Sequence, residues 1–292
     1  MTERSAIRVR GAALAAALLG GALALPPASA AEKATAQTLI DREAAFAQAA
    51  IDHGTRAAFL EFLAESSVIM APGPLPGRAT TLGDPPPGAP LRWRADLATM
   101  SRFGDFGWAS GPFTSWARST NDRPEQSGHY FTVWWIEDGG NWRVILDAGV
   151  PYPVAETDLA RHLDVTPRLR NSRGTFSDKD CALDFAAAWR DKGRVKALKT
   201  FLASDARLLY AGQPPRDGRA IQPAADPLAK SSLVATHVAR RIASELGDVV
   251  VTYGDYELEA TLEAPARRLE FVQAWDASSK CHLALEALNP AH

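Results

Sequence analysis

Apolar residues at helical spacing open the chain's first folded stretch. Leu39, Ile40, Ala44, Phe46, Ala47, Ala50 and Ile51 form one stripe that stops at Gly54, a natural end for a helix. Phe59, Phe62 and Leu63 predict a second, shorter helix. A strand is expected over residues 67–71, and residues 72–90 hold so many Pro and Gly that regular structure is not. The pattern then changes to β, with strands expected over 106–118, 129–136 and 141–150. Taking Asp138-Gly139 as a two-residue turn pairs Trp135 with Trp142, Val133 with Val144 and Phe131 with Leu146, and puts His129 at the end of that face. The other face then carries Tyr130 with Asp147, Thr132 with Ile145 and Trp134 with Arg143, the last a cation–π pair.

The same order returns about 139 residues later. Phe46 to Gly54 matches Phe185 to Gly193, and Phe59-Leu-Glu-Phe62-Leu63 matches Leu198-Lys-Thr-Phe201-Leu202. Small gaps carry the match through Gly77-Arg78 and Gly218-Arg219, Gly104-Asp105 and Gly247-Asp248, Gly111 and Gly254, Trp135 and Trp275, and Trp142 and Cys281. Strands are expected over 207–211, 233–244, 249–259, 269–275 and 281–288. So long a period is a duplicated domain, not a solenoid repeat. Helices followed by a meander of strands predict an α+β fold. The expected domains are 31–152 and a divergent copy at 177–292, joined by a linker at 153–176.

Residues 1–30 read as a cleavable signal peptide: Arg4, Arg8 and Arg10, then an Ala/Leu/Gly run, then small residues before Ala31. The mature chain is thus expected in a bacterial periplasm or outside the cell, with no membrane association after cleavage. The formal net charge is −2, and without the leader's arginines it becomes more acidic. No basic run is present, so neither nucleic acid nor an anionic membrane surface is an expected partner. Cys181 and Cys281 both fall in the second copy. Cys281 stands where the first copy has the strand residue Trp142, and Cys181 lies on the opening helix, so a bridge between them is geometrically reasonable; two separate buried thiols are the alternative. No metal site is expected, since no third and fourth ligand accompany this pair.

The first copy resembles the nuclear-transport-factor-2-like, or SnoaL-like, superfamily, in its secreted branch of unknown function. The matching residues are the helix ending at His53-Gly54, Gly104-Asp105-Phe-Gly-Trp-Ala-Ser-Gly111-Pro, Gly128-His-Tyr-Phe-Thr-Val-Trp134, Asp138-Gly-Gly-Asn-Trp142-Arg-Val, and Leu146-Asp147-Ala-Gly149-Val-Pro151. The resemblance implies two cone-shaped domains, each with a curved antiparallel sheet around helices and a pocket at its open end. It also implies pairing through outer sheet faces, here within one chain, and is compatible with a homo-oligomer. Ketosteroid isomerases, polyketide cyclases, dehydratases and non-enzymatic binders share this fold, so fold alone does not choose among them.

Isomerase chemistry of this kind needs a carboxylate base, a tyrosine and a protonated acid at one pocket. No Asp/Tyr/Asp set falls on one expected inward face. The register places Asp147 and its counterpart Glu286 outward, beside Tyr130 and Glu270. His129 and Asp96 are the remaining catalytic candidates, the first also readable as a strand-end residue and the second as a surface one. Trp93, Trp108 and His129 in the first copy, and Tyr210, Tyr253 and Gln273 in the second, are candidates for lining a ligand pocket. Trp116 joins them, and core packing is the alternative for each aromatic. The expected function is non-catalytic binding of a small apolar molecule or a protein partner, without a cofactor. The alternative is an isomerase, cyclase or dehydratase using general acid–base catalysis, and a desolvated carboxylate or histidine in a pocket would favour it.

Overall fold

The computed structural model describes residues 33–70, 73–83, 89–173, 179–260, 265–277 and 280–291. The expected signal peptide lies outside them. Helix α1 (Ala36–His53) ends at Gly54, whose φ of 89° is a left-handed conformation that a side chain would strain. The chain turns there into α2 (Thr55–Phe62) and β1 (Leu63–Met70). The Pro/Gly-rich stretch is more ordered than expected. It holds β2 (Pro74–Pro76), on a sheet edge where proline's missing N–H does no harm, and a short helix, α3 (Gly77–Gly83). Strands β3 (Leu91–Trp93), β4 (Leu97–Met100), β5 (Phe106–Ser115), β6 (Gln126–Ile136) and β7 (Trp142–Pro151) follow. The described part of the linker, 153–173, holds regular structure too. After α4 (Leu159–His162), β8 (Arg168–Asn171) joins β4 in parallel and covers that edge of the first sheet.

The second half opens with α5 (Cys181–Lys192), whose N-cap Asp180 accepts from the Leu183 N–H at 3.2 Å. Gly193, with φ 84°, turns the chain into α6 (Arg194–Phe201). Strands β9 (Leu202–Tyr210), β10 (Arg216–Asp217), β11 (Leu233–Ala243), β12 (Val249–Leu258), β13 (Arg267–Ala277) and β14 (Cys281–Pro290) complete it. The first sheet runs β2-β1-β7-β6-β5-β4-β8, with β3 also on β5, and the second runs β10-β9-β14-β13-β12-β11. The fold is α+β with two sheets. Cys181 and Cys281 form a disulfide, tying the first residue of α5 to the first of β14 across a Cα separation of 5.5 Å. No helix among the described residues is long and apolar enough to cross a membrane.

Each sheet buries one face against its own helices. Phe46, Trp93, Trp134, Trp142 and Val144 belong to the first inner core, and Phe185, Trp189, Phe271, Trp275 and Leu283 to the second. The other faces share a third cluster, with Trp108, Phe131, Val133, Leu146 and Ala148 from the first half and Leu209, Val251, Tyr253, Val272 and Leu285 from the second. Both halves belong to one compact unit, Lys33–His292. Contacts between them repeat in mirrored form. Asp105 binds the Ser101 hydroxyl and accepts from the Glu245 N–H at 2.7 Å, while Asp248 binds the Ser244 hydroxyl and accepts from the Arg102 N–H at 2.7 Å.

The β6–β7 register differs from the expected one, and the difference moves every candidate on that hairpin. Gly139 and Gly140 both have positive φ (91° and 85°), and Glu137 N–H bonds the Asn141 carbonyl at 2.8 Å, so the turn is one residue longer. A bulge at Ile145 then shifts the pairing again, from Trp134 opposite Val144 to Val133 opposite Leu146. As a result Trp135, not Trp134, lies opposite Arg143, and Asp147 lies opposite Thr132. The inner face of this hairpin is therefore Tyr130, Thr132, Trp134 and Asp147. A matching irregularity in β13–β14 turns Glu286 inward beside Gln273.

Candidate functional site

A cavity of about 400 Å³ opens between α1, α2, α3 and the inner face of the first sheet. Phe46, Phe59, Ile69, Leu91, Trp93 and Phe113 give it an apolar wall, and Tyr130, Thr132 and Asp147 contribute one polar patch. Behind that patch lies Glu43, fully buried on α1. Its carboxylate accepts from the Trp93 indole N–H at 3.0 Å, the Trp134 indole N–H at 2.7 Å and the Thr132 hydroxyl. Burial raises the Glu43 pKa above the ordinary carboxylate value, although these donors oppose the rise.

Asp147 differs from Glu43 in two ways. It lines the cavity, and no hydrogen bond holds its carboxylate among the described residues. Enclosure by protein, with the Glu43 charge nearby, pushes its pKa up to about 7. Tyr130, one strand away, has a buried hydroxyl beside the Glu43 carboxylate and no other partner among the described residues. Burial and the neighbouring carboxylates hold that phenol well above its usual pKa, so it remains a neutral donor. A base poised near neutrality and a neutral phenol O–H thus face the same apolar space. This is the combination that proton transfer at an uncharged substrate requires.

The other candidates fall in several places. Trp93 lines the cavity and Trp108 does not; the latter packs on Phe131, ring centroids 5.6 Å apart, in the cluster shared by the two sheets. His129 is buried away from the cavity, stacked on Tyr152 and next to His162. Burial and the nearby Arg207 charge lower its pKa to about 3, which leaves it uncharged near neutrality. Asp96 binds Arg207 of the second half, Nη2 to Oδ2 at 3.0 Å, so it links the halves instead of serving a pocket. Tyr253 lies in the shared cluster, on the outer face of its sheet.

Tyr210 and Gln273 do face the interior of the second half, but that interior is filled. The Arg194 guanidinium donates to Glu286, to Asp226 at 3.4 Å and to the Tyr210 hydroxyl at 2.6 Å, and lies 4.5 Å from the centre of the Trp189 ring. Gln273 closes the network on Glu286 at 2.9 Å and on the Tyr256 hydroxyl at 2.7 Å.

Sequence reading misses Glu43 and turns Asp147 outward, for different reasons. Glu43 had a signal, because it interrupts the buried stripe Leu39–Phe46–Ala50 at the spacing of a core position. The inward turn of Asp147 depends on a bulge that leaves no such mark.

Solved structures similar to part of the chain include a nuclear-transport-factor-2-like protein from Cytophaga hutchinsonii, at 17% identity and a TM-score of 0.31, covering 38% of this chain and 93% of that one. Others are a proposed SnoaL-like polyketide cyclase from Mesorhizobium loti (11% identity, TM-score 0.28, 38% and 96% covered) and a proposed polyketide cyclase from Pseudomonas putida (13%, 0.28, 38% and 88%). No family model matches the chain, and no curated protein does.

Proposed function

We propose that the first half is an acid–base catalyst acting on a small, mostly apolar carbonyl compound, with Asp147 as the proton carrier. The observation that carries this reading is the Asp147 carboxyl, unbonded, open to an apolar cavity and titrating near neutrality. The ionised carboxylate takes a proton from a carbon next to the carbonyl group. The C–H electron pair moves into the new C=C bond, and the carbonyl π pair moves to oxygen, where the Tyr130 hydroxyl donates to the developing charge. Where the substrate has a C=C bond one carbon further on, the electron pair delocalises through it, and return of the proton to the far carbon as the carbonyl re-forms is an isomerisation. Thr132 and the two indoles keep Glu43 in place behind the patch. Burying aromatic walls around the reacting groups excludes water and strengthens each of these interactions.

Solvent exchange tests the reading with 2-tetralone, an activated bicyclic ketone, in deuterium oxide. The wild-type protein is expected to speed exchange of the hydrogens next to the carbonyl, with a rate that rises through a pKa near 7. Asp147→Asn should abolish the gain, and general-base contributions of about 10²–10⁴ set its scale. Wild-type exchange no faster than buffer would remove catalysis and leave a binding protein.

Export belongs to the same proposal. The Cys181–Cys281 bridge supports an oxidising compartment, and the leader-like residues 1–30 support secretion. An intact mass beginning near Ala31 in the periplasmic fraction is the expected result. The two halves act as an internal pair through their outer sheet faces, a reading supported by the shared apolar cluster and the mirrored Asp105 and Asp248 contacts. Solution scattering from two separated bodies would count against it.

A further inference from the structure

The five strand glycines of the two sheets are not equivalent. A Cβ built on Gly107 would lie 2.4 Å from Leu39 Cδ1 and 2.5 Å from the Thr99 carbonyl. On Gly111 and Gly254 it would meet the Arg94 and His237 carbonyls at 1.9 Å, and on Gly128 the Val150 carbonyl at 2.3 Å. Each of those four is required by packing. Gly149 is not: its added Cβ would have the Phe113 ring as nearest neighbour, at an ordinary 3.7 Å, and its φ is not in the left-handed region. Glycine in a strand interior is unfavourable, because it loses chain entropy and contributes no side chain to packing. Neither conformation nor crowding explains it here.

Its location supplies a reason. Gly149 lies opposite Tyr130 and two residues beyond Asp147 on the inner face of β7, and it lines the cavity. In the second half the matching place, two residues beyond Glu286 and opposite Phe271, holds the buried Leu288. Thr55, which opens α2, likewise faces the cavity where α6 opens with the interior-filling Arg194. The first half thus has a small residue at both places where the second half has a large one. Gly149 is also held from the second half, since the Asn289 amide donates to its carbonyl at 2.9 Å.

We propose that Gly149 is the specificity-determining position of this cavity, leaving a recess between Asp147 and the Phe113 ring that admits a flat apolar ligand broader than a single six-membered ring. This rests on the reading of the cavity as the substrate site. The substrate's ring system lies over Gly149 with one face towards Phe113, and its reacting carbon lies next to Asp147. A side chain at 149 would occupy that recess without disturbing the strand.

Binding of phenol, 2-naphthol and 9-phenanthrol, measured by titration calorimetry on the full chain, tests this. Wild-type protein should bind 9-phenanthrol at least about tenfold more tightly than phenol, the scale expected when a pocket accepts or refuses a few carbons. Gly149→Val should abolish that gain, Gly149→Ala should reduce it, and phenol should bind all three within about twofold. Thermal unfolding of both variants confirms that the fold is intact. The proposal is overturned if Gly149→Val keeps the gain, if wild-type protein shows none, or if folded Gly149→Val loses phenol as completely as 9-phenanthrol. Asp147→Asn separates the two readings: size selection should survive in it even though proton transfer does not. Exchange without size selection would sink the recess alone, and size selection without exchange would sink catalysis alone.

Discussion

Arg194 holds, in the second half, the helix-opening position that Thr55 holds in the first, and this pair decides which interior is open. The Thr55 hydroxyl is satisfied locally by the Ala89 carbonyl at 2.8 Å and leaves the cavity clear. Arg194 instead carries a guanidinium to Asp226, Glu286 and Tyr210, all buried, and lies against the Trp189 ring. A buried charge is tolerated only when paired and hydrogen-bonded, and this one is.

Arg194→Met should therefore strand two buried carboxylates. The expected loss is about 3–5 kcal/mol in urea denaturation at neutral pH. Phenol binding in the first cavity should stay unchanged, because Arg194 takes no part in it. A variant as stable as wild type would mean that the network contributes nothing to folding.

Asp147 predicts a pH dependence of the opposite sign from that of an ordinary salt-bridged acid. Its folded pKa, about 7, lies above the 3.8 of a solvated aspartate, so the folded state binds a proton more tightly than the unfolded chain. That contribution is complete below about pH 4 and is lost as pH rises through about 7. Asp147→Asn should thus melt higher than wild type at pH 8 and match it near pH 4, in thermal scans followed by tryptophan fluorescence. Equal melting at both values would remove the desolvated-carboxylate interpretation.

The mirrored aspartates predict coupling between the halves. Asp105→Ala loses bonds to Ser101 and to the Glu245 N–H, and Asp248→Ala loses those to Ser244 and the Arg102 N–H. Each change should cost about 1–3 kcal/mol. The two loops meet, so the double variant should depart from additivity by about 0.5 kcal/mol or more in a double-mutant cycle.

Reduction tests the Cys181–Cys281 bridge, which closes a sequence separation of 100 residues. Cross-linking a loop of that size contributes about 4–5 kcal/mol in the chain-entropy model. Dithiothreitol should lower the denaturation midpoint of wild type, and a Cys181→Ser/Cys281→Ser variant should match the reduced protein and ignore the reagent.

Much of the architecture was legible because hydrophobic periodicity is local. The stripe from Leu39 to Ile51, the glycines that end each first helix and the alternating strands all follow from spacing a few residues long. The repeat added one non-local fact: by aligning Cys281 with Trp142 it placed a cysteine on the inner face, within reach of the opening helix. The polar part of the site was harder to see. Glu43 was visible in principle as a carboxylate at a core position of α1, whereas Asp147 was assigned to the wrong face.

By itself the sequence marked the main helices and strands and offered the Cys181–Cys281 bridge as one of two readings, since each rests on short-range pattern or on comparing the copies. Only the tertiary structure decided which carboxylate meets the cavity and which half has one. In a strand a shift of one residue exchanges the two faces. The bulge at Ile145 made that exchange for Asp147, the turn one residue longer made it for Tyr130 and Thr132, and no local periodicity records either. Whether an interior stays open depends on side chains that meet across the fold. Thr55 and Gly149 leave space that Arg194 and Leu288 fill, a difference that appears only once the helices and strands carrying them are packed together.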